Sequence, residues 1–284
     1  MKILNERPEP GLYFIATPIG TARDITLRAL DLLQAGDVLV AEDTRTLKHL
    51  MQIHGISVGD RPLLAYHEHS QDKQRAKVLQ HLAAGQSVIY ASEAGTPLVA
   101  DPGYQLSRAA IEEGHKVYAA PGPSAVLAAL TVSGLPSDRF LFGGFLPSAK
   151  GARVKALQEL AAIPATTLLY ESPKRLKKTL DEMVEVLGPT RQVVVCRELT
   201  KKFEEVVRGT AEEVRAEFAD RTIKGEIVIL LDRAEAAAPE EQDVETALRV
   251  ALETLSVKDA SAKVAADLGL KKRDVYQLAL KLGE

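Results

Sequence analysis

Residues 12–20 read LYFIATPIG, a run of five apolar residues that leads into a turn with one proline and one glycine. A continuous apolar run of this length, bounded by a turn, is typical of a strand buried in a parallel sheet. Similar runs predict further strands at 38–41, 63–65, 87–91 and 116–119. Amphipathic segments between them predict helices at 26–34, 46–53, 72–84, 103–113 and 124–132. This alternation indicates an α/β domain with a parallel sheet, which we place at residues 1–135.

The second half of the chain has a different order of elements and predicts a mixed sheet, in a second α/β domain at 136–233. Its predicted strands lie at 166–170, 192–197, 204–208 and 226–231. Its predicted helices lie at 149–160, 174–187 and 212–218. The last strand, EIVILL, is β-branched and continuous, which indicates a buried central strand.

The C-terminal part of the chain is predicted to be helical. Residues 234–245 contain five acidic residues and no basic residue, which favours an exposed acidic linker. Residues 246–284 form a predicted helical extension, in which Gly269 fits the turn of a helix-turn-helix. Two roles remain open for this extension: contact with nucleic acid, or a helical cap or dimerisation element.

The composition excludes several classes of protein. The 284 residues carry 36 basic and 39 acidic side chains, so a protein that coats nucleic acid through bulk positive charge is excluded, although a local basic patch is not. The single cysteine, Cys196, permits no internal disulfide. No apolar run reaches the roughly 18 residues that span a bilayer, and residues 1–10 lack the apolar core of a signal peptide. We therefore expect a soluble cytoplasmic protein.

Aromatic residues are scarce, with 7 Tyr, 6 Phe and no Trp, and most of them lie inside apolar runs. We therefore expect the rings to belong to the core. Recognition of a nucleic acid would then depend on shape and phosphate more than on stacking.

Glycine placement excludes the two commonest nucleotide-binding loops, because the 19 glycines form neither a G-x-G pair nor a G-x-x-x-x-G-K-[ST] loop. Instead, turns with glycine and proline follow three predicted strands, at 17–20, 93–97 and 121–125. Because parallel sheets bind ligands beyond the carboxyl ends of their strands, these turns predict one site. Apolar, carboxylate-poor turns of small residues suit an adenosine with a soft cation, as in S-adenosylmethionine, better than a polyphosphate.

Charged residues follow another strand of the first domain. Glu42, Asp43 and Arg45 come directly after the strand at 38–41. A carboxylate here could orient or deprotonate a hydroxyl group, and Arg45 could hold a phosphate. The alternative is that Asp43 or Thr44 only caps the next helix.

The sequence His67-Glu68-His69 invites a metal hypothesis, because the two histidines would share one face of a strand. No third ligand at suitable spacing is apparent, so we predict no metal site. His67 remains a further candidate for a general base.

In the second domain, two strand ends combine a carboxylate with cations, at 170–175 and 197–202. Lysines and arginines at such positions are candidates for phosphate contact, and together they predict a positive rim. The candidates across the second domain are Arg153, Lys174, Arg175, Lys177, Lys178, Lys201 and Lys202.

Together these segments resemble the tetrapyrrole-methylase-like family of methyltransferases. The matching stretches lie between residues 12 and 231 and include LYFIATPIG, DVLVAEDTRTLKHLM, SEAGTPLVADPGY, PGPSAVLAALTVSGLP, YESPKRL and RELTKKFEE. Two positions depart from the family pattern, since Glu93 stands where the family commonly has Asp and Thr21 where it commonly has Asn. Glu93 keeps the charge but adds a methylene, and we assign it no catalytic role.

The resemblance implies two α/β domains with S-adenosylmethionine in the cleft between them, and usually a homodimer. Within the family the chain is similar to members that methylate the 2′-oxygen of a cytidine ribose, cytidine 1402, in 16S rRNA of the small ribosomal subunit. The implied cofactor-binding residues are Pro18, Ile19, Gly20, Ala94, Gly95, Thr96, Pro97, Ser124, Ala125, Tyr170, Glu171, Glu226 and Ile227. The implied catalytic candidates are Glu42, Asp43, Arg45 and His67, and the base among them is not assigned.

Two rival functions stay open at this point. One is C-methylation of a precorrin-like tetrapyrrole, although such relatives carry a G-D-P turn where this chain has E-A-G-T-P. The other is a non-catalytic RNA-binding or assembly factor that keeps the fold.

Overall fold

The computed structural model describes residues 6–66, 71–100, 102–234, 241–268 and 270–282. The chain divides into two compact units, one that ends at Arg233 and one that begins at Ala234. The first unit contains two five-stranded sheets, and the described part of the second unit is helical.

The first sheet is parallel throughout, as the alternating pattern predicts. Its strands are β1 (Gly11–Ile15), β2 (Val38–Ala41), β3 (Leu63–Ala65), β4 (Ser87–Ala91) and β5 (Val117–Ala120). The helices that alternate with them are α1 (Leu27–Ala35), α2 (Thr44–Ile53), α3 (Gln71–Ala83), α4 (Tyr104–Glu112) and α5 (Ala125–Ser133). The strand order is β3-β2-β4-β1-β5. The prediction of an α/β domain with a parallel sheet is confirmed.

Helices cover both faces of this sheet, which explains why its strands read as continuous apolar runs. Along β1, Ile15 belongs to the core cluster that contains Leu33 of α1. Leu12 points to the opposite face and belongs to the cluster that contains Leu106 of α4. Two of the helices begin at side-chain caps, since the Thr26 and Ser124 hydroxyls accept N–H bonds in the first turns of α1 and α5.

The second sheet is mixed, as predicted. Its strands are β6 (Phe140–Phe145), β7 (Thr166–Glu171), β8 (Gln192–Arg197), β9 (Glu205–Thr210) and β10 (Ile227–Leu231). Its helices are α6 (Lys150–Ala161), α7 (Leu176–Leu187) and α8 (Ala211–Phe218). In the order β6-β7-β10-β8-β9, the central strand β10 is antiparallel to both neighbours, while β6 is parallel to β7. The central position predicted for this last strand is confirmed.

Strand β6 is the element that the sequence patterns did not predict. Its sequence FLFGGF contains two adjacent glycines, and its pairing with β7 shifts register between Phe142 and Gly144. Glycine in a strand weakens the sequence signal and marks bulges of this kind.

The second unit consists of α9 (Glu241–Leu252), α10 (Val257–Leu268) and α11 (Lys272–Leu282). Helix α9 begins inside the stretch 234–245, so the part of the predicted linker from Glu241 onward is helical; residues 235–240 of that stretch lie outside the described part. Leu248, Val264 and Val275 bring the three helices to one buried cluster. The arrangement fits the predicted helical extension, and Ser256 caps α10 by accepting the N–H of Asp259 at 3.2 Å.

Within the described residues, the structure contains no helix that is both long enough and apolar enough to cross a membrane.

A buried ion pair joins two helices that lie between strands of the second sheet in the chain. Arg153 of α6 and Glu182 of α7 have side chains only 6% and 5% exposed, and Arg153 Nη2 lies 2.6 Å from Glu182 Oε1. Arg153 also donates a hydrogen bond to the carbonyl of Ser148 at 2.7 Å. Both charges are therefore compensated inside the protein, where either one alone would be costly.

We expect Arg153→Met to lower the free energy of unfolding by about 3–5 kcal/mol, because it leaves the Glu182 carboxylate buried without its partner. Chemical denaturation followed by circular dichroism measures the loss. The double variant Arg153→Met, Glu182→Leu removes both charges and should recover most of the stability. A double variant as unstable as the single one would contradict this account.

Candidate active site

The three turns with glycine and proline meet at one edge of the first sheet. Strands β4, β1 and β5 are neighbours in the sheet, so the turns that follow them emerge side by side. Thr17 and Gly95 exchange two backbone hydrogen bonds, at 3.0 and 2.9 Å. The Thr96 hydroxyl donates to the carbonyl of Pro123 at 2.9 Å. The three turns are therefore bonded to one another and form one surface.

Gly95 is the residue that holds two of the three turns together. It is buried and has φ +79°, in the left-handed region that side chains rarely adopt. Its carbonyl accepts a hydrogen bond of 2.5 Å from the Ser92 hydroxyl, and the Thr17 hydroxyl donates to the carbonyl of Ser92 at 3.1 Å. A Cβ atom at Gly95 would lie 3.3 Å from Ile19 Cγ2, so a side chain would press on the neighbouring turn.

A cleft of about 740 Å³ lies against the three turns, and the facing wall comes from the second sheet near the ends of β7, β8 and β10. Every residue predicted to bind the cofactor lines this cleft except Pro97, which is buried. The structure adds lining residues that the sequence reasoning missed, among them Thr46, Phe145 and Leu199. They come from elements far apart in the chain, so local patterns carry no signal for them.

The turn after β7 is held by a buried carboxylate. Glu171 has a side chain only 1% exposed, and it accepts hydrogen bonds of 2.7 Å from the Ser172 N–H, from Arg175 Nε and from the Thr179 hydroxyl. Arg175 donates a further hydrogen bond to the carbonyl of Leu146 at 2.9 Å. The arginine predicted to contact phosphate is thus engaged inside the protein, where it shapes the cleft wall.

The turn after β8 contains a second set of ion pairs. Lys201 Nζ lies 2.9 Å from Glu198 Oε1 and 2.9 Å from Glu226 Oε2. The Glu226 backbone N–H donates to Glu198 at 3.0 Å. That backbone bond and the Lys201 ammonium hold the pKa of Glu198 below its ordinary range. Of the remaining candidates for phosphate contact, Lys174, Lys177, Lys178 and Lys202 are solvent-exposed. The prediction is wrong for Arg153, which is buried in its ion pair with Glu182.

The charged residues that follow β2 were predicted to act at the reacting atoms, but the structure places them away from the cleft lining. Glu42, Asp43 and Arg45 do not line the cleft, whereas Thr46 does. Asp43 caps α2 by accepting the Arg45 N–H at 2.7 Å, and Arg45 Nη2 lies 2.8 Å from Asp43 Oδ2. The Arg45 side chain and the Arg45 N–H lower the pKa of Asp43 to about 2. This geometry favours the helix-cap alternative; His67 lies outside the described residues.

The charges of the cleft correct the expectation of a carboxylate-poor pocket. Glu93, Glu171 and Glu226 line the cleft, against one ammonium group from Lys201. A lining with more carboxylates than cations repels a polyphosphate and favours a ligand with a positive charge. The chemistry of the lining therefore fits a sulfonium ligand, and the close-packed turns of small residues leave room for its adenosine.

Cys196 also lines the cleft, but its side chain is buried, and burial raises the pKa of its thiol to about 12. It is protonated at neutral pH, which excludes it as a thiolate nucleophile. Across the ranges given above, no group of three His, Cys, Asp or Glu side chains is arranged to hold a metal ion.

The expectation that the aromatic rings belong to the core is wrong at several positions. Phe145 is 58% exposed, Phe203 63% and Tyr104 61%. Phe145 lies on the cleft, with its ring centre 5.5 Å from that of Tyr170. An apolar neighbourhood in sequence does not determine which side of a strand or turn a ring occupies.

The comparisons with known proteins first give a class. Residues 11–215 match the model of the tetrapyrrole (corrin/porphyrin) methylases. The solved structure of the cobalt precorrin-4 methyltransferase CbiF superposes with a TM-score of 0.58 at 22% identity, over 78% of this chain and 94% of that chain. A uroporphyrin-III C-methyltransferase from Thermus thermophilus, in complex with S-adenyl homocysteine, gives 0.54 at 22% identity, over 78% and 96%. The protein therefore has the tetrapyrrole-methylase fold and is a methyltransferase that depends on S-adenosylmethionine.

Curated relatives then give the family. Proteins named ribosomal RNA small subunit methyltransferase I are 46% identical in Mesorhizobium japonicum, over 96% of this chain and 92% of theirs, and 41% identical in Halalkalibacterium halodurans, over 96% of each. The relative of that name in Escherichia coli O157:H7 is 40% identical over 95% of this chain and 94% of its own. Residues 237–283 match the RsmI C-terminal HTH domain. The chain belongs to the ribosomal RNA small subunit methyltransferase I family, which confirms the resemblance found in its sequence.

We expect Gly95→Ala to weaken binding of S-adenosylhomocysteine about tenfold, because the added Cβ presses on Ile19 in the cleft wall. Isothermal titration calorimetry measures the affinity. Gly114→Ala is the matched control, since Gly114 has φ +80° but open space around it, at the turn between α4 and β5. Both variants carry the same backbone strain, so equal affinities in the two would remove the Gly95 turn from the cofactor site.

We expect Asp43→Asn to lower the urea midpoint of unfolding, because the pKa of about 2 shows that the folded state favours the charged carboxylate. The charged Asp43 carboxylate stabilises the fold at any pH above its pKa in the unfolded chain. That contribution is lost as the pH falls towards its folded-state pKa of about 2. The difference between wild type and variant should thus be constant above about pH 5 and shrink below about pH 4. A difference that grows on acidification would contradict the ion-pair assignment.

Proposed function

We propose that the protein methylates the 2′-oxygen of a cytidine ribose in 16S rRNA, at cytidine 1402, with S-adenosylmethionine as the methyl donor. The observation that carries this proposal is the cleft against three interlocked turns, in a chain 46% identical to a protein named for methylation of small-subunit rRNA. The cofactor would bind in the cleft, and the RNA would bind at the rim of the cleft.

The residues of the three turns would hold the cofactor, together with the strand ends that form the facing wall. When bound, S-adenosylmethionine supplies an electrophilic methyl group on a sulfonium. The cleft and its rim would hold the ribose oxygen beside the cofactor, and positioning of this kind would supply much of the rate in a displacement that needs no acid.

The candidates for the base that accepts the ribose proton are several carboxylates and one histidine. Asp43 is a poor base, because its pKa of about 2 makes it a weak proton acceptor. Glu171 is occupied by Arg175 and Thr179. Glu226 is paired with the Lys201 ammonium at 2.9 Å, so the candidates that remain are the sequence-based ones, Glu42 and His67, and the base is not assigned.

We further propose the boundaries 1–135, 136–233, 234–245 and 246–284 for the parts of the chain, and a homodimer in the cytoplasm. These statements rest on the composition and on the family resemblance. Lys174 and Lys202 are the exposed cations proposed to contact rRNA phosphates, whereas Lys201 and Arg175 act through their carboxylate partners.

C-methylation of a tetrapyrrole is the second candidate, because solved structures of precorrin and uroporphyrin methyltransferases share the fold. Fold alone does not determine the substrate. The much higher identity to the rRNA methyltransferases favours the RNA substrate.

The deciding experiment supplies methyl-labelled S-adenosylmethionine with three substrates in parallel: assembled small subunits, protein-free 16S rRNA and a precorrin. We expect label in RNA, at the ribose of one cytidine, mapped by resistance of the adjacent bond to alkaline cleavage. Gly114→Ala should remain active and report that the preparation is folded. Label in the precorrin alone, or in no substrate, would contradict the proposal.

A further inference from the structure

The turn between β8 and β9 is strained and tightly held. Glu198 and Thr200 have φ +53° and +62°, in the left-handed region that is costly for residues other than glycine. The Glu198 carboxylate accepts the Glu226 N–H at 3.0 Å and the Lys201 ammonium at 2.9 Å. The Thr200 N–H donates to the Glu204 carboxylate at 2.5 Å. These bonds fix a backbone that would not adopt this shape alone.

The same turn is docked onto the first domain. The Thr200 hydroxyl accepts the N–H of Thr21 at 3.2 Å. A Cβ atom at Gly20 would overlap that hydroxyl and the Lys201 side chain, so the glycine permits the close approach. Since Gly20 and Lys201 both line the cleft, the turn is a rigid part of the cleft rim.

The outer side of this turn presents an aromatic ring beside a cation. Phe203 is 63% exposed, and Lys202 Nζ lies 5.5 Å from the centre of its ring. Among the described residues no carboxylate pairs with Lys202, in contrast to Lys201, whose ammonium is shared by Glu198 and Glu226. The neighbours of Phe203 in the chain are Lys202 and Glu204, which are both charged and exposed.

We propose that Phe203 and Lys202 form a stacking platform for one nucleotide of single-stranded rRNA next to the methylated one. The base stacks on the Phe203 ring, and the Lys202 ammonium pairs with a phosphate of the same strand. Sequence-tolerant stacking on an exposed ring requires an unpaired base, which a duplex does not offer. This inference rests on the proposed function, because it places RNA at the cleft rim.

The test uses the full chain and a fluorescein-labelled single-stranded oligoribonucleotide of about 12 nucleotides, titrated by anisotropy beside a duplex of the same sequence. Phe203→Ala should weaken single-strand binding roughly tenfold, while Phe203→Tyr keeps the ring and should stay within about twofold. Lys202→Ala should reduce the slope of log affinity against log salt by roughly one unit. In Phe203→Ala, the affinity for the duplex and the calorimetric affinity for S-adenosylhomocysteine should equal those of the wild type.

Tyr104→Ala is the matched control, because Tyr104 is 61% exposed, close to the 63% of Phe203, but lies on α4 and not in the turn between β8 and β9. It should bind the oligonucleotide like the wild type. Single-strand binding by Phe203→Ala equal to the wild type, or no RNA binding by the wild type, overturns the platform. A loss on assembled subunits with none on the oligonucleotide would also overturn it, since the ring would then contact a protein.

This outcome is separable from that of the proposed function. Ring-dependent binding of the oligonucleotide without methyl transfer to any RNA would leave the platform standing and remove the enzyme proposal. Methyl transfer by Phe203→Ala at wild-type KM would retain the enzyme and remove the platform.

Discussion

The pair of backbone hydrogen bonds between Thr17 and Gly95 is the constraint on which the site depends. It ties the turn after β1 to the turn after β4, beyond the point where the sheet itself ends. Gly95 can complete the pair because it adopts a positive φ and leaves no side chain between the two turns. The third turn is then held through the Thr96 hydroxyl. The three turns form one surface as a result of these bonds and of the glycine conformation.

The second domain meets this surface through the turn after β8. Gly20 lets Thr200 approach the first turn, and the strained backbone of that turn is stabilised by the Glu198 carboxylate. Glu171 does the same for the turn after β7. Buried and half-buried carboxylates thus hold loops in place, so a charged side chain near the cleft is not by itself evidence of a chemical role.

The sequence determined the fold closely, because the deciding signals are local. The apolar runs of β1, β2 and β4 were readable since both faces of the sheet are buried, and the capping residues of α1 and α5 stand next to their helices. The glycine and proline turns likewise identified nine of the 24 residues that line the cleft. Strand β6 escaped prediction, because its glycine pair weakens the pattern at the bulge.

The part of the site that could not be predicted depends on which charged side chains pair with one another. Local sequence places Arg175 and Lys201 in cationic clusters, but their charges are taken by Glu171 and by Glu198 and Glu226. These partners decide which cations face solvent, and one of them, Glu226, lies 25 positions from Lys201 in the sequence.

Charge also explains why few residues can carry recognition of RNA in this protein. The net charge is −3, and the cleft lining itself contains more carboxylates than cations. Such a lining favours a positively charged cofactor but repels a phosphate backbone, so the two ligands make opposite electrostatic demands on adjoining surfaces. A rim that separates them must supply attraction from a small number of unpaired cations. Stacking on an exposed ring adds affinity without adding charge, and an aromatic residue such as Phe203 at the rim meets that requirement.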